Sequence, residues 1–160
     1  MIIVERLLNH PDFFAAFDTI EANEKTRIFC RHGLDHALDV ARITWILALE
    51  NKRDFEKETV YLAALLHDIG RSKDNANHDE ESARMAITLL SACGVDAPLI
   101  KTIADAIAGH REKSTSIDLH TATLGELLAY ADKKSRPCYR CAAAPNCYWD
   151  AQRKNHTITD

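Results

Sequence analysis

Glu56-Lys57-Glu58-Thr59-Val60-Tyr61-Leu62-Ala63-Ala64-Leu65-Leu66-His67-Asp68-Ile69-Gly70 is the stretch whose reading decides the fold. Val60, Ala63, Ala64 and His67 recur three and four apart, so on a helix they share one face, and that face is apolar up to its last member. The spacing predicts a helix over 56–69. Asp54 is placed to cap it ahead of an acidic first turn containing Glu56 and Glu58. Gly70 stands where a helix C-terminus prefers a left-handed residue. A histidine on the inward side of this helix, with a carboxylate directly after it, is the first sign of chemistry.

Outward from this stretch the same period continues in both directions. It predicts further helices at about 3–9, 12–23, 32–50, 79–92, 97–110 and 122–135. Gly94 ends one of them, and Asp96 with Pro98 opens the next. Residues 71–77 are the most polar run and read as a surface loop. From Pro137 onward the chain changes to cysteine, alanine and aromatics, so residues 1–136 form the helical domain and 137–160 an appendage to it. With 160 residues and only 5 Gly and 4 Pro, the chain makes one domain and lacks the turn-formers of a many-stranded sandwich or barrel. The expected fold class is all-α, a helical bundle.

Composition excludes several functions. A net charge of −4 argues against binding nucleic acid by phosphate neutralisation. The apolar stretch over residues 43–49 is far short of the ~20 residues that cross a membrane. An acid follows at once on Met1-Ile2-Ile3-Val4, where a secretory leader would stay apolar. The 5 cysteines are an odd number, which argues against a secreted disulfide framework and for thiols that are reduced or on a metal. A cytoplasmic location is expected.

The 8 histidines are more informative. His36 leads a stripe of Val40, Ile43 and Leu47, and His78 leads Ser82, Met85, Ala86 and Leu89. His110 closes a stripe of Ile103, Ala106 and Ile107, while Asp132 extends the row of Leu124 and Leu128. Together with His67, four imidazoles and a carboxylate from five helices turn inward, and Asp68 adds a second carboxylate. Isolated polar groups in a core are costly. Convergence on a cation removes that cost, and the nitrogen and oxygen donors suit Mn, Fe, Co, Ni or Zn.

The runs His36-Ala37-Leu38-Asp39-Val40-Ala41, Leu66-His67-Asp68-Ile69-Gly70 and Ala131-Asp132-Lys133 resemble the HD-domain metal-dependent phosphohydrolase superfamily over residues 30–136. The resemblance implies an HD-domain-like bundle in which His36, His67, Asp68 and Asp132 hold one metal. His78 and His110 resemble the extra histidines of binuclear HD proteins, with Asp68 bridging to a second ion. It further implies hydrolysis of a nucleotide or another small phosphorylated compound through a metal-bridged hydroxide, with His67 and Asp68 at the catalytic centre. Some HD-fold proteins with this ligand set are instead di-iron oxygenases, and a non-catalytic nucleotide or redox sensor is a third class.

Basic groups near such a site steady phosphate oxygens, and Arg71, Lys133 and Arg136 are the candidates. His32, one turn before His36, is a candidate substrate contact or proton shuttle. His10, His120 and His156 read as exposed. Cys138, Cys141 and Cys147 form C-x2-C-x5-C, a possible second site for structural zinc or an iron–sulfur cluster with a borrowed fourth ligand, against plain packing of three reduced thiols. The sequence leaves a homo-oligomer open.

Overall fold

Amphipathic helices hide their apolar faces against one another. The computed structural model describes residues 1–110 and 117–158, and these form seven α-helices and four short 3-10 turns, with no strand among the described residues. The helices are α1 (Ile2–Leu8), α2 (Pro11–Asn23), α3 (Leu34–Glu50), α4 (Lys57–Leu66), α5 (His78–Ala92), α6 (Ala97–Gly109) and α7 (Leu124–Lys134). Helix α4 is the axis: residues 62–70 are buried without a break. Around it, α3 packs on α4 and α7, and α6 packs on α4, α5 and α7. The core between them holds Phe13, Val40, Leu66, Leu90, Ile103, Ile107 and Leu128. No described helix is long and apolar enough to cross a membrane.

All seven expected helices are present, and the differences lie at their ends. Helix α4 starts at Lys57 with Glu56 as its cap position and no side-chain cap bond, so Asp54 does not have the capping role expected of it. It also stops at Leu66 rather than 69, passing into a 3-10 turn at Ile69–Ser72. Helix α3 begins at Leu34, because Gly33 is extended (φ −68, ψ 178), which leaves His32 outside the helix. Thr123 and Glu126 form a reciprocal capping box on α7, a T-x-x-E signal present in the sequence. His10 is half-buried rather than exposed, and its ring accepts from the Asp12 amide at the start of α2. His120 and His156 are exposed as expected.

Two glycines separate by mechanism. Gly94 has φ +79 and ends α5 as a left-handed residue, as expected. Gly70 does not adopt that conformation. A Cβ there would lie 2.4 Å from both the His78 carbonyl oxygen and the Ser82 nitrogen. Its own N–H donates to Ser82 Oγ at 2.8 Å. Gly70 therefore serves close approach, letting the turn after α4 meet the first turn of α5 and bringing Asp68 to His78.

Candidate metal centre

The end of α4 puts two neighbouring residues on one target. On a regular helix adjacent side chains diverge by about 100°. Here His67 still has helical dihedrals, while Asp68 takes φ −113, ψ 4. The break brings His67 Nε2 to 3.5 Å from Asp68 Oδ2.

Each histidine facing this point has its other nitrogen occupied. His67 Nδ1 meets the Ala64 carbonyl at 2.7 Å, and His78 Nδ1 meets that of Asn75 at 3.0 Å. His110 Nδ1 bonds the Ile107 carbonyl in the same way, always three residues back. His36 Nδ1 lies 3.3 Å from Ser135 Oγ, whose own proton goes to the Asp132 carbonyl at 2.8 Å. His32 Nδ1 lies 2.6 Å from Glu24 Oε1. A carbonyl can only accept, so these bonds place the proton on Nδ1 and turn the Nε2 lone pair to the centre, where that of His78 meets Arg71. The five rings run in a continuous series, His32–His36–His67–His110–His78, with centroids 5.4–5.7 Å apart.

Asp68 divides its two oxygens between two sets of donors. Oδ2 faces His67, His36 Nε2 at 3.9 Å and His32 Nε2 at 3.9 Å. Oδ1 faces His78 Nε2 at 3.1 Å and His110 Nε2 at 4.0 Å. Across the first set, Asp132 Oδ1 is 3.3 Å from His36 Nε2. Among the described residues, two groups gather ligand atoms within 4.8 Å of one another: His36, His67 and Asp132, and Asp68, His78 and His110. His36 Nε2, His67 Nε2 and Asp68 Oδ1 are buried and make no hydrogen bond. Orphaned buried atoms of this kind fit a bound cation.

Arg71 enters the second group itself. Its Nε is 2.9 Å from Asp68 Oδ1, close but out of line for a hydrogen bond, which is why both atoms remain orphaned. A terminal guanidinium nitrogen lies 3.0 Å from His78 Nε2, and the other holds Asn75 Oδ1 at 3.2 Å. The guanidinium thus supplies positive charge where the second group points, and an ion entering there must displace it.

Electrostatics match the geometry. Burial raises the Asp68 carboxyl, but His67, His78, Arg71 and His32 outweigh it and hold the group well below the usual carboxylate range. Asp132 behaves likewise: burial opposes ionisation, while His36, Arg136 and His67 favour it. Burial pushes His67 and His32 down, and His110 down to about 4. Neutral imidazoles and ionised carboxylates are the forms that bind metals.

The other expected contacts separate. Arg136 reaches the centre, donating to Asp132 Oδ2 at 2.9 Å while its guanidinium lies 3.8 Å over the Trp149 ring. Lys133 is exposed, and its carbonyl accepts from Asn155 Nδ2 at 2.9 Å. Cys138, Cys141 and Cys147 are free thiols, half-buried, and belong to neither group of ligand atoms. Two residues were absent from the sequence reading. Buried Glu24 takes both the His32 ring and its backbone N–H, the latter at 2.8 Å, and Ser135 orients His36. Glu24 stands in the cap position just past α2, four residues beyond buried Ile20, so it extends the inward row of Phe13, Phe17 and Ile20 as an acid.

Among the described residues seven helices surround a His/Asp cluster that could hold a metal, and the family comparison places the fold. The HD domain family model matches residues 33–137, and the chain belongs to that family, within the metal-dependent phosphohydrolase superfamily. An uncharacterized protein of Clostridium beijerinckii is 34% identical over 155 residues, covering 95% of each chain. No solved structure matches.

Proposed function

We propose that this protein is a metal-dependent phosphohydrolase acting on a nucleotide or another small phosphorylated compound. The division of the Asp68 oxygens between two histidine sets carries the reading, because one carboxylate so placed is suited to bridge two cations. His36, His67, Asp68 and Asp132 would hold the first ion, and Asp68, His78 and His110 the second. When bound, such ions supply an activated water for attack on phosphorus and offset charge on the phosphoryl oxygens.

The chain's own groups do the rest. Arg71, once displaced from His78 and Asp68, is a mobile guanidinium at the rim and meets a substrate phosphate oxygen. Arg136 keeps Asp132 ionised and aimed. His32 is held by Glu24 with Nε2 toward the centre, where it can exchange a proton with the leaving group. Five free thiols suit a reducing, cytoplasmic setting.

The test is a metal-replete preparation assayed for phosphate release over a panel of nucleotides and sugar phosphates, with oxygen consumption followed in parallel. Phosphate release that stops on chelation and returns with Mn or Co is expected. Oxygen uptake by an iron-loaded sample that releases no phosphate from any of them would replace this reading with the oxygenase one.

A further inference from the structure

The cysteine tail is not a loose appendage. Asn155 Nδ2 donates to the carbonyls of Lys133, Lys134 and Arg136 at 2.9, 3.1 and 2.8 Å, satisfying the free end of α7 and pinning the tail to it. Arg136 lies over Trp149, and Phe29 meets Tyr148 edge to face at 5.7 Å. Residues 25–29 and 31 form one wall of a surface groove, and residues 141–143 form the other. The tail is thereby closed against the loop between α2 and α3, and that loop carries Cys30.

Four half-buried cysteines, Cys30, Cys138, Cys141 and Cys147, stand on the two segments that close this corner. Cys30 follows Phe29, and Cys147 precedes its ring partner Tyr148. Cys138 and Cys141 sit on successive tight turns, with the Cys141 N–H on the Cys138 carbonyl at 3.2 Å and the Cys147 N–H on that of Ala144 at 3.3 Å. The Cys30 thiol is raised by burial, lowered by Arg136 and raised again by Cys138 and Cys141, so these groups lie within each other's field. Cys93 is elsewhere, buried in the core with its carbonyl on Arg6 at 3.2 Å.

One tetrahedral zinc with Zn–S of ~2.3 Å draws its thiolates to within ~4 Å of one another. Among the described residues no three cysteine sulfurs come within 4.8 Å of one another. A cubane cluster, bound at its corners by four thiolates, takes a wider frame.

We propose that Cys30, Cys138, Cys141 and Cys147 ligate a four-iron iron–sulfur cluster, a second inorganic centre separate from the His/Asp centre. Arg136 offsets the negative charge of such a cluster and also pairs with Asp132, so the two centres share one cation. The cluster then fastens the tail over α7 and keeps Arg136 and Ser135 in place beside the first group of ligands.

The test uses the full-length protein prepared anaerobically and reconstituted with Mn, so that iron reports the corner alone. Acid-labile sulfide near four per chain is expected, with equal iron and a broad visible absorption bleached by dithionite. Cys30→Ser and Cys141→Ser should each lose the sulfide and the colour while far-ultraviolet circular dichroism stays helical, and Cys93→Ser should keep both. The wild-type sulfide measurement decides even if a variant does not fold. Four freely titratable thiols, or stoichiometric zinc without sulfide, would overturn the proposal.

Discussion

Asp68→Asn is expected to lower kcat for phosphate release by on the order of 10³-fold or more at matched metal occupancy, because several kcal/mol of charge stabilisation are at stake. Asn keeps the shape but removes the charge that five Nε2 atoms and a guanidinium now face at 2.9–4.0 Å. One amide oxygen cannot hold two cations as two carboxylate oxygens do. Substrate binding should survive better than turnover. Arg71→Ala should show the opposite bias, with KM raised about tenfold by loss of one charged hydrogen bond and kcat changed less. Its second ion should bind no more weakly than in the wild type, since the competing guanidinium is gone. Circular dichroism of both variants guards against a fold defect, and an Asp68→Asn protein of full activity would contradict the assignment.

The second large effect is on stability. Without metal, the centre keeps His110 neutral at a pKa of about 4, with His67 and His32 also lowered by burial. In the unfolded chain these histidines titrate near the ordinary value of 6.5. Between those limits the unfolded state binds more protons, so metal-free stability is full above pH 6.5 and falls as pH drops toward 4. His110 alone accounts for about 3 kcal/mol over this range, or roughly 10 °C in Tm for a chain of this size. Metal at a thousandfold excess over its Kd adds about 4 kcal/mol. Scanning calorimetry should therefore find the chelated protein about 8–16 °C less stable than the loaded one at pH 7. Below pH 6 the loaded protein should fall toward it as protons displace the ions. Equal Tm values with and without metal would mean that no ion is held by these residues.

How much of this was legible in the sequence follows from which forces act locally. The helices were, because a 3.6-residue period is written into Val60, Ala63, Ala64 and His67 and repeats along the chain. So were the inward faces of His67, His78 and His110. The line of α3 was only approximate: its buried residues are Ala37, Val40, Ala41, Thr44 and Ala48, with His36 at their edge. Less legible was anything fixed by two segments meeting. Gly70 read as a helix terminator because that is the commonest local need, yet the space it leaves is set by His78 and Ser82 on another helix. His32 read as part of α3, but Gly33 turns the chain and Glu24 captures the ring. Arg71 was expected to steady phosphate oxygens, whereas the pull of Asp68 and His78 draws it into the centre. The tail hinges on Asn155, a single amide whose three carbonyl partners come from the end of α7 and the residues just past it.

The most direct measurement is the number of ions the chain binds. Wild-type protein titrated with Mn or Co, freed of excess and analysed for metal, should approach two ions per chain at saturation. His110→Ala should approach one, with Asp68, His36, His67 and Asp132 still holding it and the helical content unchanged. A wild-type protein that never exceeds one ion, with His78 and His110 turned to solvent in its metal-bound crystal structure, would contradict the two-cation centre.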